Sequence, residues 1–440
     1  MLRKIENWNS LKCFSFSFII LIIAFVTITL STNSYAQGDW KILNPTNSPS
    51  ARFGHSITPL PKGELLLFAG QESAQKMYND LHSYNPPLEI WQLLYISNRL
   101  PSERANHCTW YLDGKLYVHG GEDKNRMALL DLWNYDPTTR EWTQKPQTNP
   151  SPSARYYHKA NVTNDGKAII SGGFDGSKVL NDIWLYDYIT NQWTQYKTNI
   201  PVAAESHISE IVDDDLYIFT NGQGFKYNLI TNSWTSGLEA PPLMGGSGSV
   251  LGENEQGQKI IFIFGGLDMQ NNFSDKVYEY NTATGKLTQQ TKTMPMPINK
   301  VACAKINQLK RVAHPKISQP NDYNYMKVIF FGGMSGSWSN LIPMNQTWVY
   351  QIGEISSVED QNENNELKIY PNPATNIIEI KLGNYDKIIT LEIFDLLGQL
   401  VLSRYSLDDE KIDVSELAAG IYILKLTSEK AEYNKMLIIR

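Results

Sequence analysis

Short apolar runs, each closed by a glycine pair or a polar turn, recur from about residue 39 to residue 351, and no long helical period competes with them. Runs such as Lys115 to His119 and Lys259 to Phe264 are rich in β-branched and aromatic residues and stop at glycine, which predicts strands. A tyrosine is followed seven residues later by a tryptophan at Tyr84/Trp91, Tyr135/Trp142, Tyr186/Trp193 and Tyr227/Trp234, with Tyr280/Leu287 as a fifth copy. The first three tryptophans are 51 residues apart, a period that marks repeated structural units. Upstream of four of these pairs, and of the Trp348 unit beyond them, lies a glycine pair or its remnant, at Ala69-Gly70, Gly120-Gly121, Gly172-Gly173, Gly265-Gly266 and Gly332-Gly333. Asn or Asp follows each tyrosine and can start a turn, so Tyr is expected to end a third strand and Trp to sit on a fourth. One four-stranded sheet cannot bury both faces, so such sheets must stack on one another. Large aromatics bury about 150–250 Å² each, which assigns these to the core between sheets rather than to a sugar platform.

Counting units gives six. The sixth has Gly332-Gly333 and Thr347-Trp348-Val349-Tyr350, but Ser357 stands where its tryptophan belongs. Trp40 lies one period before Trp91 with no unit of its own, so the segment near Asp39 to Leu43 is predicted to supply the missing strand and remove the open edges. The third unit shows Arg155 and His158, then Gly172-Gly173, Asn181-Asp182-Ile183-Trp184, Tyr186-Asp187 and Trp193. That order of landmarks resembles the Kelch repeat. The resemblance implies an all-β, six-bladed Kelch propeller over residues 37–352, closed by its N-terminal strand.

The two ends read differently. Arg3, Lys4 and Lys12 precede an apolar run from Phe14 to Leu30 and a small-x-small pattern at Ser34-Tyr35-Ala36, which predicts an export signal over 1–36, with a retained membrane anchor as the alternative for a run of this length. Residues 353–366 are acidic and polar without an apolar period, as in a linker. Beyond it, alternating segments such as Ile378 to Leu382 and Gly420 to Leu426 predict a small β-sandwich over 367–440. Tyr370-Pro-Asn-Pro373, Phe394-Asp-Leu-Leu-Gly-Gln399 and Leu417-Ala-Ala-Gly-Ile-Tyr422 resemble the type A C-terminal sorting domain of the type IX secretion system. That resemblance implies passage through the periplasm and across the outer membrane, followed by release or attachment to surface lipopolysaccharide. The type IX machinery is then a partner through this domain.

A net charge of −6 gives no whole-chain case for nucleic acid, and a monomer is expected. Cys108 and Cys303 fall in blades two and six and read as buried thiols rather than a disulfide. Asp213-Asp214-Asp215 reads as a hairpin turn rather than a calcium loop. The candidate binding surface is the set of Arg-x-x-His copies: Arg52 with His55, Arg104 with His107 and Arg155 with His158. Lys300 and Cys303 are read as their equivalents in blade six, and blade four keeps only His207. The Kelch resemblance places such arginines at one mouth of the central channel, where a cationic funnel would take a carboxylate or sulfate of a protein or glycan. Against this stands the reading that each arginine and histidine bonds within its own blade. Galactose oxidase shares Kelch-type repeats, but the repeat already explains the Tyr156, Tyr157, His158 and Cys108 residue types, so no cofactor, metal or catalytic residue is assigned. The function expected is a secreted or surface-displayed binding module for a protein or acidic glycan. The alternative is a sugar-acid epimerase or mutarotase using acid-base groups such as His55, Glu103 or Glu205 in the channel. A basic segment over residues 303–326, with Lys305, Lys310, Arg311, His314 and Lys316, reads as an inserted loop.

Overall fold

A computed structural model describes residues 38–96, 99–254, 256–306, 326–352, 368–381, 388–395, 399–405, 411–428 and 432–440. The export signal, the polar linker and residues 307–325 of the basic segment lie outside the described residues, while Cys303 to Ile306 continue a strand. All described elements longer than a turn are strands.

Six four-stranded antiparallel sheets form the repeat region. Blade one is built from Ser56–Pro59, Leu65–Ser73, Lys76–Asn85 and Ile90–Leu93. Blades two to five follow the same order, beginning at Cys108–Leu112, Lys159–Val162, Ile208–Val212 and Gly248–Glu253. Blade six takes Ala302–Ile306, Met326–Phe331 and Thr347–Ile352 from its own segment. Its fourth strand is Asp39–Leu43, paired from Asp39↔Gln351 to Leu43↔Thr347, as the position of Trp40 predicted.

The aromatic pair explains why the sheets stack. Tyr84 and Trp91 are directly opposite across the third and fourth strands, with ring centroids 4.7 Å apart and no exposed surface. Trp91 Nε1 donates to Thr347 Oγ1 at 3.1 Å, which ties blade one to blade six. The residue after the tyrosine starts the turn as expected: Asp136 Oδ1 accepts from Thr138 N at 2.8 Å.

The glycine pairs serve the seams between blades. In each pair the second glycine donates its N–H to a carbonyl of the next blade: Gly70 to Arg104 (2.9 Å), Gly121 to Arg155 (2.9 Å), Gly173 to Ala204 (2.8 Å) and Gly266 to Ile298 (2.7 Å). Gly333 donates to Arg52 at 2.9 Å, the corresponding link from blade six to blade one. Gly172 sits at φ +56°, and a Cβ there would overlap the Ala204 carbonyl oxygen. Only glycine tolerates both constraints.

The C-terminal region has two antiparallel sheets. One joins Lys368–Tyr370, Ile377–Lys381 and Lys411–Asp413; the other is ordered Leu400–Tyr405, Ile388–Phe394, Gly420–Ser428, Glu432–Ile439. Ile378, Leu391, Ile393, Leu424 and Leu437, all fully buried, share its core. The alternation of apolar residues along these strands places one face inward.

Candidate binding site at the channel mouth

Just before the innermost strand of each blade, one residue adopts left-handed backbone geometry: Gly54 (φ 64°), Asn106 (56°), Tyr157 (59°), Ser206 (51°), Gly246 (73°) and Lys300 (53°). Their amides are linked blade to blade. Asn106 N–H donates to Gly54 O at 2.7 Å, Tyr157 to Asn106 at 2.9 Å, Ser206 to Tyr157 at 2.8 Å, Gly246 to Ser206 at 2.7 Å and Lys300 to Gly246 at 2.8 Å. This peptide collar satisfies backbone groups that would otherwise be orphaned at the axis. All six residues line a cavity of about 100 Å³, with His55, His107, His158, Ser247 and Val301 next to them and Lys159 among the lining.

Lys300 holds the centre of this rim electrostatically. Its Nζ donates to Tyr157 Oη at 2.7 Å and lies 4.4 Å from that ring's centroid and 5.7 Å from that of Phe53. Burial lowers its pKa to about 8, with Glu122 opposing, Arg126 reinforcing and Glu205 opposing. Burial likewise raises the pKa of Glu205, and Lys300 counteracts it. Glu122 is fully buried and committed: it accepts from Asn106 Nδ2 at 2.6 Å and from Arg126 Nη1 at 3.1 Å. Beside Lys300, Asn299 is 1% exposed, and neither its amide oxygen nor its nitrogen is bonded among the described residues. Burial lowers the pKa of Lys159, with Cys303 and Glu210 acting against it.

The structure corrects the reading of Arg52, Arg104 and Arg155 as a cationic funnel. All three are buried, and each guanidinium forks onto an aspartate of its own blade: Arg52 onto Asp80 (2.6 and 2.9 Å), Arg104 onto Asp131 (2.8 and 2.8 Å), Arg155 onto Asp182 (2.7 and 2.8 Å). Each also donates to the carbonyl of the first residue of the glycine pair, Ala69, Gly120 or Gly172, and through Nε to a serine carbonyl two residues upstream. Burial alone would raise the Asp182 pKa, but the Arg155 fork overrides it and holds the carboxyl below its ordinary value. With Nε, both Nη1 protons and at least one Nη2 proton of each guanidinium engaged, no fork remains for a ligand.

His107, His158 and His207 also reach back into the preceding blade. His107 Nε2 lies 3.0 Å from Ser56 Oγ and His207 Nε2 lies 2.9 Å from Ser171 Oγ, while His55 stands edge-on to Phe331. Burial pushes the pKa of His55 and His207 down to about 3, so both are neutral at physiological pH.

Lys300 is not the blade-six equivalent of the arginine. Ile298, whose carbonyl accepts from Gly266, takes that place, and Val301 takes the histidine's. Lys300 therefore stands two residues later, on the rim. Sequence reasoning missed Asn106, Ser206 and Asn299 as site residues. The available signal was that the residue before the histidine changes type in every blade except for its two glycines, whereas the framework around it repeats.

A family model described as the KLHDC2/KLHL20/DRC7 Kelch-repeats domain matches residues 26–222, and one described as the secretion system C-terminal sorting domain matches residues 368–440. The chain is similar to Kelch domain-containing protein 10 of Homo sapiens, 28% identical over 221 residues that cover 46% of this chain and 49% of that protein. It is also similar to acyl-CoA-binding domain-containing protein 4 of Arabidopsis thaliana, 22% identical over 394 residues (86% of this chain, 57% of that protein). Rab9 effector protein with kelch motifs of Homo sapiens is 27% identical over 206 residues (43% and 54%). The chain spans about half the length of the curated relatives it matches. Repeat landmarks, blade pairing and both family matches agree: the chain joins a Kelch-repeat β-propeller to a type IX secretion C-terminal sorting domain.

Proposed function

We propose that the exported propeller is a recognition module that grips an acidic group of a protein or glycan partner at the channel mouth. Lys300 is the charge anchor, and Asn106, Tyr157 and Ser206 supply the polar rim. One observation carries this reading: Lys300 and Lys159 both line the cavity, and among the described residues neither ammonium has a carboxylate within ion-pair distance, whereas each framework arginine has one. Two cations without ion-pair partners lining one cavity favour an anion. The sorting domain supports delivery to the exterior, with release or lipopolysaccharide attachment as the final state and a single copy as the working unit.

Screening the exported protein on glycan and acidic-peptide arrays, beside Lys300→Gln, tests the anchor. The variant keeps the stem and removes the charge, and should lose about 1.5–3 kcal/mol of binding, the range for a hydrogen bond to a charged group. Unchanged binding would remove Lys300 from the site. Affinity is also expected to fall as pH rises through about 8, where Lys300 loses its proton. Its effect on stability has the opposite sign. The folded pKa lies below the unfolded value near 10.4, so the unfolded chain binds more protons between the two, and this group's contribution to stability rises with pH across that window. Measuring affinity and denaturation midpoint at pH 7 and 9 separates the two trends.

A sugar-acid mutarotase is the second reading. Burial moves Glu205 up and Lys300 down, each toward neutral pH, where general acid-base groups work best. Glu205→Gln should then abolish anomeric exchange, followed by NMR, while leaving binding in place.

A further inference from the structure

Blade two departs from the repeat at two facing positions. The first residue of each inner strand pairs with one residue of the second strand, and in four blades that partner is phenylalanine: Ser56↔Phe68, Ile208↔Phe219, Gly248↔Phe264 and Ala302↔Phe331. In blade two the pair is Cys108↔His119. In two blades the histidine of the following blade packs its ring edge-on against that phenylalanine, His55 on Phe331 at 5.6 Å and His107 on Phe68 at 5.4 Å, while blade three pairs Lys159 with Ser171 and His207 meets that serine. His158 meets an imidazole and a thiol instead. Its Nε2 lies 3.0 Å from His119 Nδ1 and 2.9 Å from Cys108 Sγ, and the three atoms all lie within 4.8 Å of one another.

Hydrogen bonding leaves one close contact of this trio unused: Cys108 Sγ can donate to the His119 carbonyl at 3.9 Å and the two rings can share one proton. A ring nitrogen carries either one proton or one lone pair, so His158 Nε2 cannot make a full bond to both the thiol and His119. Cys108, His119 and His158 are 6%, 1% and 3% exposed, so water is not available to complete the set from bulk. A cation at the centre would take one lone pair from each.

We propose that Cys108, His119 and His158 form a buried three-coordinate site for a soft monovalent cation, Cu(I), at the seam between blades two and three. Thiolate and imidazole are the ligands such an ion prefers. On binding, the Cys108 thiol releases one proton to solvent, and thiolate and Cu(I) cancel, so two neutral imidazoles complete a site with no net buried charge. A divalent ion would leave one positive charge there. Zn(II) also takes four ligands in structural sites, and no fourth His, Cys, Asp or Glu joins this cluster among the described residues. His158 lines the channel-mouth cavity, so the cluster lies one side chain in from it.

The test uses the full chain carrying Cys13→Ala and Cys303→Ala, which leaves Cys108 as the one thiol. Anaerobic titration with Cu(I) in competition with bicinchoninate should show one equivalent retained, X-ray absorption should report one sulfur and two nitrogen neighbours, and the melting temperature should rise. His119→Phe and Cys108→Ser install the residues that blade one carries at the same positions, so packing is preserved. Each should lower Cu(I) affinity by at least about 100-fold and abolish the melting shift, with circular dichroism unchanged. No retained Cu(I), equal retention in a folded His119→Phe, or displacement by equimolar Zn(II) would each overturn the assignment.

Discussion

Changing Arg104 to alanine is expected to destabilise the propeller by about 3–5 kcal/mol, the cost of removing one partner from a buried ion pair. The guanidinium is fully buried and donates twice to Asp131 and once to the Gly120 carbonyl, so alanine strands an acceptor set built for it. Asp131 is 22% exposed, and water would partly replace the fork, which places the loss toward the lower end of that range. Lysine should rescue little, because a point charge cannot reproduce two parallel bonds. Urea denaturation reads the effect as a lower midpoint at unchanged slope. Because pairing holds the Asp131 pKa below its ordinary value, with burial opposing and the Arg104 bond prevailing, this stability is present above pH 4 and fades as the pH falls further. Binding per folded molecule should stay unchanged. An Arg104→Ala protein of full stability that no longer binds ligand would reverse the site assignment and return the arginines to the mouth.

Deleting residues 38–43 should do more damage than any single substitution. The segment contributes the whole outer strand of blade six, a five-residue antiparallel ladder against Thr347 to Gln351. It also contributes the Trp40 ring, 4.8 Å from Tyr350, 5.0 Å from Phe330 and 6.0 Å from Phe264, and the buried Leu43. Loss of the half-buried Trp40 ring and the buried Leu43, the latter alone worth about 2–5 kcal/mol, together with the ladder removes a large share of a domain's stability of about 5–15 kcal/mol. The exposed edge of Thr347–Ile352 would then invite pairing between molecules. Size-exclusion chromatography and circular dichroism of the truncated protein check this. A monomeric, fully folded product would show that blade six does not depend on its borrowed strand.

Blade number and strand order were readable because they follow from neighbours close in sequence, and the closing strand, whose partner lies at the far end of the repeats, was readable because Trp40 stands one period before Trp91. Tyr and Trp lie seven apart because two strands and a turn connect them, and the glycine pairs mark where a Cβ would meet the next blade. The same landmarks even included Asp182, noted as part of a strand motif, but not its role. Arg155 and Asp182 are 27 residues apart, and no local pattern says that the fork will close inside the blade rather than open onto the channel. Lys300 illustrates the same limit in the other direction. A shift of two residues in the assumed register moved it from a framework position to the rim, and only the amide collar through Gly246 and the Gly266–Ile298 link located it.

Residue order carries the architecture, since backbone period, turn chemistry and aromatic spacing are short-range properties repeated often enough to be unmistakable. Tertiary structure alone decided which charges are spent and which are free. It buried Arg52, Arg104 and Arg155 against aspartates, left Lys300 and Lys159 facing the cavity, and brought Cys108, His119 and His158 together from two blades. Electrostatic and ligating roles depend on ångström-scale distances between segments remote in sequence, and those distances exist only once the blades are stacked.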